Sequence, residues 1–220
     1  QGELAELGHG EATPGRGIVS FRGDLDAVYR ANLRLRAATK VLRQLAEGPA
    51  GSKEALYALA SEVPWEDVVT RGQTIAVESA GKAQAFRNTG FASLTVKDAV
   101  VDRLRSRLGS RPDVDRRGAD VRIHVHLAGE RAGLALDSSG EPLSHRGYRP
   151  RGGPAPLSEA LAAGVLLLAG YDGSRPLLDP MAGTGTIAIE AALIATRTAP
   201  GSRRGFACER WRDHQPARLA

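Results

Sequence analysis

The residues with the clearest chemical potential lie in one run, Leu177-Leu178-Asp179-Pro180-Met181-Ala182-Gly183-Thr184-Gly185-Thr186-Ile187-Ala188. Its apolar start, Pro176 to Asp179, reads as a buried strand that ends in a carboxylate. A glycine-rich turn follows and opens a helix from Thr186 to Ala195. Glycine lets backbone approach a ligand closely, and the first turn of a helix leaves N–H groups without intrahelical partners. Two ligand chemistries compete for such a turn. Gly183, Gly185 and Ala188 satisfy the G-x-G-x-x-A spacing of dinucleotide sites. Asp179 argues against that, because a carboxylate one turn away repels a pyrophosphate. The same carboxylate can hold the ammonium at the methionine end of S-adenosylmethionine. Pro180 fixes the backbone just past the strand and removes one N–H that would need a partner. The bland alternative is a tight strand-to-helix turn with no ligand.

Other chemistry-bearing residues point less far. His124-x-His126 share a strand face, but the sequence places no third ligand beside them, so a solvated face is expected and no metal site. Cys208 has no partner that would mark it as a nucleophile. Asp98 and Asp102 stand one helical turn apart beside Arg103 and Arg105, the pattern of a salt-bridged face. Tyr148 could stack on a base or pack its linker against a domain. No residue qualifies as catalytic.

The frame is that of an ordinary core-forming chain, with 42% hydrophobic and 25% charged residues in 220. No apolar run approaches the roughly 20 residues needed to cross a bilayer, and no signal-peptide pattern opens the chain. A single cysteine excludes an internal disulfide framework and fits a reducing, cytoplasmic setting. The formal charge of +5, with a pI near 9.8, favours a polyanionic partner. Arginine clusters at Arg146, Arg149 and Arg151, and again at Arg197, Arg203, Arg204, Arg210, Arg212 and Arg218. A monomer is the expected state.

The elements that must position the turn follow from periodicity. The opening residues read as the end of a helix, and Ile18 to Phe21 as a short strand. Asp24 caps a helix with Val28, Ala31, Leu35 and Ala38 on one stripe. Ser52 to Glu62 carries Leu56, Leu59 and Ala60 inward, Pro64 ends it, and Trp65 plugs the local core. Thr74 to Ser79 alternates as a strand. Ser93 to Leu108 is a helix with Val96, Val100, Leu104 and Leu108 spaced by four and Lys97, Arg103 and Arg107 outward. Gly109 stops it. Val121 to Leu127 alternates strictly and turns back into Leu134-Ala135-Leu136. Gly140 to Pro156 reads as a linker, and Leu157 to Leu168 as a buried helix. Strand and helix in this order start an α/β sheet.

At this point the chain resembles bacterial THUMP-domain methyltransferases, which modify the exocyclic N2 of guanine in large-subunit ribosomal RNA. Asp179-Pro-Met-Ala-Gly-Thr-Gly-Thr-Ile with Ile189-Glu190-Ala191-Ala192 is similar to that family's motif I. Ala155 to Ala163 is similar to the helix before it, and Leu136 to Glu141 with His145-Arg146-Gly147-Tyr148-Arg149 to its linker. Val96 to Asp102 and Arg111-Pro112 resemble the THUMP helix and following loop, and Tyr29 to Ala37 the N-terminal ferredoxin-like domain.

The resemblance implies a fold mixing α+β and α/β: a ferredoxin-like domain at 1–70, a THUMP RNA-binding domain at 71–140, a linker at 141–156, and the beginning of a Rossmann-like methyltransferase domain at 157–220. It implies S-adenosylmethionine held by Asp179, Pro180, Met181, Ala182, Gly183, Thr184 and Gly185, with Pro156 and Leu157 from the preceding helix. RNA is the implied partner. Lys97, Arg105, Arg111, Arg146 and Arg149 combine charge with a helix surface or linker and are the candidates for phosphate contact. The chain departs from the family pattern by starting after the usual first strand. It also ends before the ribose-binding acid and before the Asn/Asp-Pro-Pro-aromatic loop. A purely RNA-binding module and a DNA adenine-N6 methyltransferase are the alternative functions.

Overall fold

Helix caps set the first elements. The Asp24 carboxylate accepts from the Ala27 amide at 3.0 Å, and the Ser52 hydroxyl accepts from Ala55 at 3.1 Å. Each thereby satisfies one of the orphan donors of a helix start. The computed structural model describes residues 1–15, 17–148 and 157–219, and these fall into two compact units.

The first unit gathers Gln1–Val41, Glu141–Phe206 and the residues from Ala217. It opens with α1 (Gly2–Glu6), a hairpin of β1 (Thr13–Gly15) and β2 (Ile18–Ser20), and α2 (Leu25–Arg34). Glu3 ties the chain leaving α2, because its carboxylate accepts from the amides of Arg36 (2.6 Å) and Ala37 (3.1 Å). Leu35 lies just past the helix with extended backbone, so Ala38 is not part of the stripe, although Val28, Ala31 and Leu35 are buried as expected. Within this unit α5 (Glu159–Leu168) packs against α6 (Thr186–Ala195).

Pro176 to Asp179 forms no strand. A strand is held by ladder hydrogen bonds to a neighbour, and among the described residues none lies beside this segment, which leaves Leu178 90% exposed.

The second unit is Leu42–Gly140 with Ala207–Pro216. Its five-stranded sheet has the order β3-β7-β6-β4-β5, built from β3 (Leu42–Pro49), β4 (Thr74–Lys82), β5 (Asp113–Val114), β6 (Val121–Ala128) and β7 (Arg131–Asp137). β4 runs parallel to both its neighbours, while β6–β7 and β7–β3 are antiparallel. Helices α3 (Lys53–Glu62) and α4 (Thr89–Leu108) pack on each other, α3 also against β3 and α4 against β4. Val121, Ile123, Val125 and Leu127 point from β6 into the core, as their alternation requires. Trp65 is fully buried and its indole N–H donates to the Ala60 carbonyl at 2.7 Å.

This arrangement moves a domain boundary. The sequence pattern places the first domain at 1–70, whereas the chain divides at 41/42 because β3 pairs with β7 from Leu42↔Asp137 to Pro49↔Arg131. That partner lies far along the chain, so no local pattern announces it. Arg103 also differs from expectation. It turns inward, gripping both carboxylate oxygens of Glu66 at 2.7 Å and donating to the Ser61 carbonyl at 2.7 Å. The Arg103 hydrogen bonds hold the Glu66 carboxyl below its usual range.

Cys208 is the second residue of the short 3-10 turn Ala207–Arg210 and is completely buried, its amide donating to the Ser138 carbonyl at 3.0 Å. Burial, with a smaller push from Glu209, raises its thiol to about 12. Because the folded value is raised, the associated stability is complete below the unfolded value of ~8.5 and is lost as pH rises from there toward the folded one. A disulfide reagent at pH 8 is therefore expected to modify the native chain far more slowly than the urea-unfolded chain. Equal rates would place Cys208 at the surface.

Candidate cofactor turn and candidate RNA surface

The turn expected to carry chemistry leads directly into α6. Gly183 (φ 52°) and Gly185 (φ 75°) both take left-handed backbone that a side chain would strain, and Gly185 is the N-cap of the helix. The Gly185 amide donates to the Ala182 carbonyl at 2.7 Å, closing the turn. The Asp179 carboxylate accepts from the Met181 amide at 3.1 Å through Oδ1, which orients it at the mouth of the turn. The first amides of α6 have no intrahelical acceptors, as at any helix start. Pro180, Met181, Ala182, Gly183 and Thr184 are exposed, Met181 at 89%. Leu157, ahead of α5, is 39% exposed, and Pro156 lies outside the described residues. The turn is thus an open cradle with bare backbone, one oriented carboxylate and the positive end of a helix. That donor set fits a ligand end bearing an ammonium beside a carboxylate.

Behind the turn, α6 is anchored by charge. Glu190 is completely buried, and its Oε1 accepts from Tyr148 Oη at 3.1 Å and lies 3.4 Å from Arg146 Nε. Arg146, 3% exposed, also donates to the Leu143 carbonyl at 2.6 Å and to the Arg36 carbonyl. Arg36 donates to the carbonyls of Leu193 (3.1 Å) and Thr198 (2.8 Å). Burial lowers the Arg36 guanidinium, and Glu190 is the largest opposing influence.

This corrects one candidate phosphate contact. Arg146 is an internal cation committed to Glu190 and two carbonyls, because a buried guanidinium must have its donors satisfied. Of the remaining candidates, Arg105 and Arg111 are exposed, Lys97 lies on α4 with its amine 2.5 Å from Asp98, and Arg149 lies outside the described residues. The second arginine cluster is largely spent on structure. Arg204 donates to the carbonyls of Pro142 (2.5 Å), His145 (3.1 Å) and Glu141 (2.6 Å), Arg212 to that of Glu66 (2.8 Å), and Arg218 pairs with Asp26 at 3.3 Å. Tyr148 packs its hydroxyl inward, as the second of its two expected roles requires.

The sequence pattern missed one surface residue. Phe91, 60% exposed, lies in the first turn of α4, which starts at Thr89 rather than Ser93. The signal was Asn88, whose side chain caps the Phe91 amide at 3.1 Å.

Comparison with known proteins matches three successive family profiles: an RlmL ferredoxin-like domain at residues 1–42, a THUMP domain at 50–137, and an RMKL-like methyltransferase domain at 146–219. The ribosomal RNA large subunit methyltransferase K/L of Magnetococcus marinus is 43% identical over 96% of this chain, and that of Pseudomonas aeruginosa 45% identical over 98%. The chain spans about 30% of the length of either relative. Among solved structures, a predicted N6-adenine-specific DNA methylase from Listeria monocytogenes superposes with a TM-score of 0.88 at 33% identity, covering 99% of this chain and 57% of that one. A second crystal structure, complexed with SAH, gives 0.86 at 30% identity, covering 99% of this chain and 58% of its own.

Proposed function

This chain belongs to the family of THUMP-domain methyltransferases, and from that premise we propose that the intact protein methylates the exocyclic N2 of a guanine in large-subunit ribosomal RNA, using S-adenosylmethionine held at the 179–185 turn. The observation that carries this reading is the pairing of an oriented carboxylate, Asp179, with left-handed glycines at the start of α6. The names of the relatives support ribosomal RNA as substrate.

S-adenosylmethionine supplies a methyl carbon bound to sulfonium, so that the amine nitrogen gains a C–N bond, the C–S bond breaks and the amine loses a proton. The residues of this chain serve binding and orientation. Asp179, whose Oδ1 accepts from the Met181 amide, would hold the methionine ammonium. Gly183 and Gly185 would let the backbone approach the ligand closely, and the free amides opening α6 would offer donors to its carboxylate. The Arg36–Glu190–Arg146–Tyr148 cluster holds α6 behind the turn. The exposed cations Arg105 and Arg111 of the THUMP segment, with Arg149 of the linker, meet the phosphates, whose neutralisation dominates nucleic-acid affinity. A DNA adenine-N6 reading is favoured only by the name of the Listeria relative.

In the full-length enzyme, Asp179→Ala is expected to weaken S-adenosylmethionine binding by ten- to a hundredfold, the loss of a charge-assisted contact of about 1.5–3 kcal/mol. Titration calorimetry checks it, and an unchanged affinity would remove Asp179 from the site. Mapping labelled methyl groups on ribosomal RNA and on DNA separates the two substrate readings.

A further inference from the structure

In the sheet of the second unit, β4 is paired along one edge by β6 from Ile75 to Lys82. Its other edge is covered by β5 only at Thr74 and Ile75. From Ala76 onward that edge has no strand partner among the described residues, and a groove of about 540 Å³ opens beside it. One wall is formed by residues 76–79 of β4. The other consists of Phe91, Leu94 and Lys97 of α4, with Val114 and Arg116 at the end. Three apolar side chains stand open to solvent there: Phe91 at 60%, Leu94 at 48% and Val114 at 45%.

We infer that this groove is a docking site for an unstacked nucleotide of single-stranded RNA, its base lying against Phe91 and its phosphates meeting Lys97 and Arg116. The inference rests on the RNA reading above and deepens it. Its size lies within the ~300–1,000 Å³ of pre-formed small-ligand sites. An exposed aromatic ring offers stacking to any base. The unpaired backbone N–H and C=O groups of β4 offer donors and acceptors to a base edge, as an open strand edge always does. Charge selects the occupant. The one carboxylate lining the groove, Glu78, is bridged by Arg122, which leaves Arg116 and Lys97 facing it. The Lys97–Asp98 pair is between neighbouring residues, with Asp98 52% exposed, and such surface pairs cost little to exchange for a phosphate. A β-strand of another protein would use the open edge but would gain nothing from two cations beside an aromatic ring.

The test is fluorescence anisotropy on the full chain with a short labelled single-stranded RNA and with its blunt duplex, for the parent and for Phe91→Ala, Phe91→Trp and Arg116→Gln. Phe91→Ala is expected to weaken single-strand binding by about five- to a hundredfold, leave duplex binding unchanged and keep the salt dependence intact. Phe91→Trp is expected to retain affinity, and Arg116→Gln to lower the log–log salt slope by ~0.7. Phe91 is too exposed for its loss to unfold the unit, and matching thermal melts confirm this. Unchanged single-strand affinity in Phe91→Ala, with RNA binding otherwise intact, would overturn the groove and leave the RNA reading standing. That is also the result if a protein strand is the true occupant. Equal losses in Phe91→Ala and Phe91→Trp would overturn it as well. A parent chain that binds neither RNA would overturn both readings.

Discussion

Glu190→Ala is expected to destabilise the first unit by about 3–5 kcal/mol, because removing one member of a buried ion pair leaves its partner charged and uncompensated. Arg146 is 3% exposed and Arg36 is half-buried, so two guanidinium groups would face an empty site in place of a carboxylate. Tyr148 would lose its acceptor at the same time. Against a typical domain stability of about 5–15 kcal/mol, such a loss is large. Glu190→Gln keeps an oxygen for Tyr148 and removes only the charge, and its cost is expected to be smaller. Hydrogen–deuterium exchange across α6, with urea denaturation, reads the effect where it arises. Protection of residues 186–195 unchanged from the parent would mean that the cluster is incidental to the helix. Loss of protection should reach the turn as well, because Gly185, the cap of α6, is also the end of the candidate cofactor cradle.

The second large effect belongs to the other unit. Trp65→Ala should cost about 3–5 kcal/mol, the range for deleting a fully buried aromatic side chain. Trp65 is 0% exposed at the turn where α3 meets α4, and its indole donates to Ala60. Trp65→Phe fills most of the volume and loses only the hydrogen bond, leaving a buried carbonyl without its donor at about 1–3 kcal/mol. The chain has two tryptophans, so either variant leaves Trp211 as a single reporter, 3% exposed and within the same unit. A urea midpoint for Trp65→Ala equal to that of the parent would show that the ring contributes nothing to the core.

The parts of this fold legible in the sequence are those governed by neighbours along the chain. Caps at Asp24 and Ser52 start their helices as their side chains dictate, since an oxygen three residues from an orphan amide needs no distant partner. The strict alternation of Val121 to Leu127 predicts both a strand and the face it buries. The glycine-rich turn is equally local. Gly183 and Gly185 adopt left-handed backbone, and Asp179 takes its place at the mouth through a bond spanning two residues. Leu56, Leu59 and Ala60 fall inward for the same reason, spacing on one helix face.

Tertiary structure alone decided the rest, and in each case the deciding partner is far away in sequence. Strand β3, with the polar pattern Leu-Arg-Gln-Leu-Ala-Glu-Gly-Pro, exists because β7 supplies its hydrogen bonds, and this pairing moves the domain boundary from 70 to 41/42. The same dependence works in reverse at Pro176 to Asp179, where an apolar run with no neighbouring strand among the described residues stays irregular. Arginine shows the limit most plainly. By type and spacing, Arg103, Arg105, Arg146 and Arg204 are equivalent cations, each able to reach a phosphate. Folding commits Arg103 to Glu66, Arg146 to Glu190 and Arg204 to three carbonyls, and leaves Arg105 in solvent. A guanidinium carries five donors, and whether they face water, a carbonyl or a ligand depends on what the fold brings within three ångströms. Local sequence therefore determines the candidate cofactor turn, whereas only the packed structure separates the arginines left in solvent from those that hold the protein together.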